Sequence, residues 1–188
     1  MNTLLITGVT GFLGGAVLEN ILKQNNGINL LLLVRADNDD AALARVKENM
    51  RKFNVSEEKL ATLGTQHILA GDLANPAEFL CDPRLEQVTH VLNCAAVASF
   101  GNNPLIWKVN VEGTLQFAQR MSRVAGLQRF LHVGTAMSCS PEPDSLVAES
   151  AEFRERAEHL VEYTHSKSTI EQLMQKTCQT LPLTIARP

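Results

Sequence analysis

Tyr163 and Lys167 stand four residues apart in Tyr163-Thr164-His165-Ser166-Lys167, within a stretch whose apolar spacing reads as a helix. Side chains at that spacing share one helix face, with Cβ atoms roughly 6 Å apart. An ammonium beside a phenol stabilises the phenolate and lowers the tyrosine pKa. The tyrosine can then exchange a proton with a carbonyl oxygen near neutral pH. Tyr163 is the only tyrosine in the chain. The same pair also occurs on surface helices with no chemistry attached, so its meaning depends on what the rest of the chain builds around it.

A second constellation is Thr7-Gly8-Val9-Thr10-Gly11-Phe12-Leu13-Gly14, which follows an apolar run and opens an amphipathic one. Gly8 allows a tight turn, Gly11 lets the backbone approach a pyrophosphate, and Gly14 lets helix and strand pack closely. The unpaired N–H groups of the helix start then face the phosphates. Strand, spaced glycines and helix together specify a dinucleotide site, with Thr10, Phe12 and Leu13 carried in the same loop and first turn. At the end of the second apolar run stands Arg35, in Leu33-Val34-Arg35-Ala36. A guanidinium there favours a ribose 2′-phosphate, so NADP(H) is the expected cofactor ahead of NAD(H). Asp37 offers the opposite, NAD-type reading, and Arg35 as a solvated loop charge is the plain alternative.

The elements that must position these groups are legible as an alternation. Short β-prone runs at Thr3–Thr7, Asn29–Val34, His67–Ala70, His90–Asn93, Phe130–Val133 and Leu183–Ala186 are separated by longer segments. Those segments read as helices at Leu13–Gln24, Asp40–Phe53, a short one opened by Ser56, Pro104–Ala125 ended by Gly126, and Ala157–Thr180. Ser138–Ser145, with two prolines, reads as a loop. Strands apolar on both faces alternating with helices predict an α/β fold: a Rossmann-type, doubly wound parallel sheet with helices on both faces, as one domain over residues 1–188. The chain reaches Pro188 directly after the sixth strand, so a C-terminal substrate-binding part is expected to be absent from it.

With 188 residues, 45% hydrophobic and 20% charged, the chain is long enough for one substantial core. A formal net charge of −3 gives no general field to gather nucleic acid or an anionic membrane. The longest apolar run, Leu30–Val34, is far below the ~18 to 20 residues of a membrane span. The start, Met1-Asn2-Thr3, has no secretory pattern, so a cytoplasmic location is expected. Cys81, Cys94, Cys139 and Cys178 form no Cys-x-x-Cys pair and read as reduced, mostly buried thiols. The five histidines lack metal-ligand spacing, so no metal is expected, and His165 points away from the Tyr163/Lys167 face.

Taken together these motifs resemble the extended short-chain dehydrogenase/reductases over nearly the whole chain. Thr7–Gly14 is similar to that family's Thr-Gly-x-x-Gly-x-x-Gly. The resemblance implies that Asp72, in Gly71-Asp72-Leu73, holds adenine beside Leu73, and that Cys94, Ala95 and Ala96 lie along the nicotinamide ribose. It implies that Asn110 supports the lysine through water and that Thr135, in Gly134-Thr135-Ala136, contacts the substrate carbonyl. Tyr163 and Lys167 match the catalytic pair and also belong to the cofactor set, as does Pro188. Each has a plainer reading: Asp72 as a cap, Asn110 as a core amide, Thr135 as a strand end. Ser138 is the rival for the hydroxyl role, and Thr135 is preferred as the residue nearer the strand edge.

Within that family the chain resembles the thioester reductases, which comprise fatty acyl-CoA reductases and reductase domains of carboxylic acid reductases and nonribosomal peptide synthetases. The likeness rests on Leu33-Val34-Arg35-Ala36, the helical insertion Asp37–Gly64, and Ala95-Ala96-Val97-Ala98-Ser99-Phe100 leading into Asn110-Val111-Glu112-Gly113-Thr114. Gly134 departs from their usual serine. The resemblance implies an NADPH-dependent reduction of an acyl thioester, on CoA or a carrier protein, to an aldehyde or alcohol. Rival readings are a nucleotide-sugar epimerase, dehydratase or ketone reductase on the same site, and a non-catalytic NADP-binding protein. The last helix allows a homodimer, although its apolar positions suit the sheet equally well.

Overall fold

Six short strands form one parallel sheet in the computed structural model: β1 (Thr3–Thr7), β2 (Asn29–Val34), β3 (Ile68–Ala70), β4 (His90–Asn93), β5 (Arg129–Val133) and β6 (Leu183–Ala186), in the order β3-β2-β1-β4-β5-β6. The structure describes residues 2–24, 27–139, 144, 146–149 and 159–188. The order reverses between β1 and β4, the place where doubly wound sheets bind ligands at their carboxyl ends.

Each face of the sheet carries its own core because the strands are apolar on both sides, as in β2, where Leu30 to Val34 are all buried. Leu18 and Leu22 of α1 (Phe12–Gln24), Ala42, Val46 and Met50 of α2 (Asp39–Lys52), and Leu60 of α3 (Glu57–Ala61) cover one face. Side-chain caps from Asn38 to the Ala41 N–H at 2.9 Å and from Ser56 to the Lys59 N–H start α2 and α3. The opposite face is covered by Phe117, Ala118 and Met121 of α5 (Thr114–Met121) and by Ile170 and Met174 of α6 (Glu162–Thr177). Phe117 lies against Phe130 with ring centroids 5.6 Å apart, and truncating such a buried ring costs about 3–5 kcal/mol. Ile170 and Met174 are therefore spent on the sheet.

Several boundaries differ from the sequence expectation, α1, α2 and β5 by one residue at one or both ends. β3 begins at Ile68, because Thr65–His67 closes a 3-10 turn in which the His67 ring accepts from the Gly64 N–H. The helix expected over Pro104–Ala125 is a rod of three parts: α4 (Leu105–Trp107), a π-helical segment (Lys108–Gly113) and α5, which stops at Met121. There Ser122 turns its hydroxyl back to the Gln119 carbonyl at 2.8 Å, so Gly126 lies beyond the helix end. The last helix begins at Glu162, with Val161 extended, and ends at Thr177; Ala157 and Glu158, its expected first residues, lie outside the described residues. So does most of the Ser138–Ser145 loop, whose Ser138 closes a 3-10 turn.

No helix among the described residues is long and apolar enough to cross a membrane. The four cysteines are free; Cys81 is exposed and only Cys178 is buried, against the expectation of mostly buried thiols. Cys81 sits on a short surface 3-10 turn that follows β3, which sequence periodicity does not reveal.

Candidate active site

At the carboxyl ends of β1 and β4 lies a cleft of about 290 Å³. Gly8, Thr10 and Gly11 line one side, Arg35 the end of β2, Asp72 and Leu73 the turn after β3, and Cys94, Ala95 and Ala96 the segment after β4. Nine of the expected cofactor residues thus meet in one place. Gly14 lies just beneath, where a Cβ would stand 2.5 Å from the Gly8 carbonyl oxygen. Phe12 and Leu13 are exposed on the first turn of α1 and do not line the cleft, since the helix start presents its backbone there. Pro188 does not line it either; its carbonyl accepts from the Ala136 N–H at 3.1 Å.

The cleft fits a dinucleotide because of how closely its walls approach. Gly8 has φ +71°, and a Cβ on it would meet the Ala95 nitrogen at 2.7 Å, so only glycine brings the two loops together. A buried polar row holds that approach. The Ala95 N–H donates to the Thr7 hydroxyl at 3.0 Å, Thr7 donates to Asn93 Oδ1 at 2.6 Å, and the Asn93 amide nitrogen lies 3.0 Å from His132 Nδ1. With Nδ1 accepting from Asn93, the imidazole carries its proton on Nε2. Burial first, and the Lys167 charge second, hold the His132 pKa well below the usual histidine range.

Arg45 is a residue that the sequence reading missed. It reaches from α2 into the cleft lining and donates to the Arg35 backbone carbonyl, so two arginines stand together on that side of the cleft. Its signal was its place three residues after buried Ala42, in the half of α2 that starts just after the end of β2. Asp37, the NAD-type alternative, is exposed and outside the cleft lining. Asp72 both lines the cleft and caps its own turn, accepting from the Ala74 N–H at 2.8 Å.

α6 carries both Tyr163 and Lys167, and Lys167 reaches the end of β5. Lys167 is 3% exposed and donates to the Val133 carbonyl at 2.6 Å. Burial depresses its pKa to about 8, opposed by the charges of Glu171 and Cys94. Tyr163 is half-buried, with Phe100 edge-on to its ring at 5.9 Å. Here the sequence expectation is corrected: burial pushes the phenol's pKa up, and Lys167 donates to the Val133 carbonyl. The Cys94 thiol, next to the same ammonium, is pushed by burial to about 11.

Thr135 follows β5 and accepts from the Met137 N–H at 3.3 Å, which leaves its hydroxyl proton uncommitted by that bond. Its rival Ser138 spends its own proton on the Thr135 carbonyl at 2.7 Å. Asn110, on the π segment, exchanges two bonds with the backbone of Val97 and donates to Ser166 at 3.1 Å, whose hydroxyl donates to the Tyr163 carbonyl at 2.7 Å. Asn110 thus ties the segment after β4 to the helix of the tyrosine, a direct link that sequence reasoning did not foresee. His165 packs edge-on against Trp107 at 4.9 Å.

The chain matches the NAD-binding family described as male sterility protein over residues 6–188. It is 31% identical to fatty acyl-CoA reductase 8 of Arabidopsis thaliana over 161 residues, covering 77% of this chain and 32% of that protein. Its fold is similar to the terminal R domain of the myxalamid PKS-NRPS pathway, with a TM-score of 0.83 at 22% identity, covering all of this chain and 48% of that one. The reductase domain of a nonribosomal peptide synthetase from Mycobacterium tuberculosis gives 0.72 at 26% identity, covering 100% and 47%. The chain therefore spans about a third of the length of that curated relative and about half of those solved chains. On the match that runs from β1 through the last strand, the chain belongs to the male sterility NAD-binding family of extended short-chain dehydrogenase/reductases.

Proposed function

We propose that the chain is the NADP(H)-binding and catalytic part of an enzyme that reduces an acyl thioester, on coenzyme A or a carrier protein, to an aldehyde or alcohol. The observation that carries the reading is Tyr163 and buried Lys167 four residues apart on α6, with Lys167 bonded to the end of β5 two residues before Thr135. Family membership and the similar fatty acyl-CoA reductase supply the substrate class. Preference for NADP(H) rests on Arg35 and Arg45 together in the cleft lining, where the two guanidinium groups would hold a ribose 2′-phosphate.

Gly8, Gly11 and the first turn of α1 would hold the pyrophosphate, Asp72 and Leu73 the adenine, and Cys94 to Ala96 the nicotinamide ribose. When bound, the nicotinamide supplies the hydride that adds to the thioester carbonyl carbon. Thr135 and Tyr163 donate hydrogen bonds to the carbonyl oxygen as negative charge grows on it. Burial keeps the Tyr163 phenol protonated, so it has a proton to give to that oxygen. The product of this step, a thiohemiacetal, breaks its C–S bond, and its hydroxyl proton leaves with the sulfur as a free thiol.

The test is incubation of the full-length enzyme that carries this chain with NADPH and a long-chain acyl-CoA, following both oxidation of the nicotinamide and release of thiol. Stoichiometric thiol release supports the reading. Saturable NADPH binding with neither signal rejects it in favour of a cofactor-binding protein without turnover.

A further inference from the structure

Glu171 is 1% exposed and lies on α6 one turn beyond Lys167 and two beyond Tyr163, so the three side chains share the inward stripe of the helix. A carboxylate is costly to bury unless it is paired. Its Oε2 accepts twice from Arg187, from Nε at 3.0 Å and Nη2 at 2.7 Å. Its Oε1 has no hydrogen-bond partner among the described residues and occupies the space where a Cβ on Gly134 would project. This accounts for a glycine where the resembled reductases carry serine.

The partners of this carboxylate are the strands that present the reacting groups. Val133, Gly134 and Thr135 form the strip at the end of β5. Lys167 holds its first residue through the Val133 carbonyl. The Gly134 N–H donates to the Ala186 carbonyl at 2.7 Å and the Ala136 N–H to the Pro188 carbonyl, the residues on either side of Arg187. Glu171 closes the triangle, joining the helix to the end of β6 directly above Gly134. The Lys167 ammonium faces Glu171 along α6, Cys94 from the end of β4 and His132 from β5; of these, the Glu171 and Cys94 charges oppose its loss of the proton.

We propose that Glu171 is a positioning residue for the Tyr163/Lys167 pair, seated in the space that Gly134 leaves and clamped there by Arg187. It fixes the height of α6 over Thr135 and keeps a negative charge beside Lys167. The proposal rests on the reading of Tyr163 and Lys167 as the reacting pair, and two of its three measurements need no turnover.

The first follows the 15N signal of the Lys167 side-chain nitrogen against pH in the full chain. In Glu171→Gln, which keeps the shape and removes the charge, Lys167 loses roughly tenfold in proton affinity; an unchanged midpoint overturns the electrostatic part. The second compares thermal unfolding of Gly134→Ala in two backgrounds. The added methyl lowers the melting temperature of the otherwise unaltered chain and has a clearly smaller effect when Glu171→Ala has emptied the seat; equal drops overturn the steric part. The third is kinetic: Glu171→Gln lowers kcat at neutral pH and moves the pH profile to lower pH, with KM for NADPH unchanged, whereas a change in KM alone overturns the positioning role. Absence of turnover in the unaltered full-length enzyme rejects the proposed reaction, while the first two measurements still decide the place of Glu171.

Discussion

The side chain of Asn110 and the backbone of Val97 are joined by a reciprocal pair of hydrogen bonds, with the Val97 N–H donating at 2.7 Å and the Val97 carbonyl accepting at 3.1 Å. This is the pairing one strand makes with another, made here by an amide side chain that a π-helical segment pushes out of its rod. The third bond, to Ser166, passes the constraint to α6. Replacing Asn110 by Leu leaves both Val97 groups without these partners, while the Ser166 hydroxyl keeps its bond to the Tyr163 carbonyl. The expected loss is about 2–4 kcal/mol of stability, read from urea unfolding, since each orphaned buried group costs about 1–3 kcal/mol. A loss below half a kcal/mol would show that the segment after β4 holds itself.

Arg35→Ala and Arg45→Ala should each weaken NADPH binding by roughly tenfold or more, the worth of a charge-assisted hydrogen bond, and leave NADH binding nearly unchanged. Calorimetric titration with both cofactors measures the ratio. Equal effects on both would move the two guanidinium groups away from the 2′-phosphate.

Tyr163→Phe removes one oxygen from a half-buried ring and preserves its contact with Phe100. Turnover should fall roughly 100- to 10,000-fold, the usual range for a lost general acid, with NADPH affinity retained. Ser138→Ala should leave kcat within a few-fold of the unaltered value and Thr135→Ala should not, because the Ser138 proton is held by the Thr135 carbonyl. The reverse order would exchange their roles.

Lys167 carries a pH-dependent stability of definite sign. Its pKa is about 8 in the fold and 10.5 as its reference value, so between those limits the unfolded chain binds the extra proton. Stability contributed by this group therefore rises with pH from about 8 to 10.5 and is lowest below 8. Holding the charged form in the fold below pH 8 costs on the order of 3 kcal/mol. Lys167→Met should abolish turnover yet stabilise the chain at pH 7 by on the order of 1 kcal/mol after loss of the Val133 bond, and should flatten the rise above pH 8. Unfolding midpoints at pH 7 and pH 9.5 in both proteins give the comparison; a less stable variant with an unchanged slope contradicts it.

What was legible in the sequence was what short-range pattern encodes. Leu30 to Val34 reads as a strand buried on both sides because five apolar residues in a row leave no polar face. Gly8 reads as a phosphate turn because strand and helix flank it. Arg45, Glu171 and the Asn110–Val97 exchange were not legible, since each depends on which residues distant in the chain meet once the sheet is closed. The π segment escaped for a related reason: one extra residue in a helical turn shifts the apolar spacing too little to show. Gly113 belongs with it, since a Cβ there would run into the Leu73 carbonyl, a contact between the rod and the turn after β3 that no local spacing announces.

Thr7, Asn93 and His132 occupy one rung across three neighbouring strands. The Leu, Ile and Val residues around them would tolerate several alignments of those strands with little change in buried area. Only one alignment lets three dry polar side chains serve one another, and a slip of a single residue would turn a strand's member of the set to the opposite layer. The rung thus acts as a key cut into otherwise interchangeable greasy strands, and it sits at the level from which the phosphate turn hangs, so alignment of the sheet and shape of the binding mouth are specified by the same three residues.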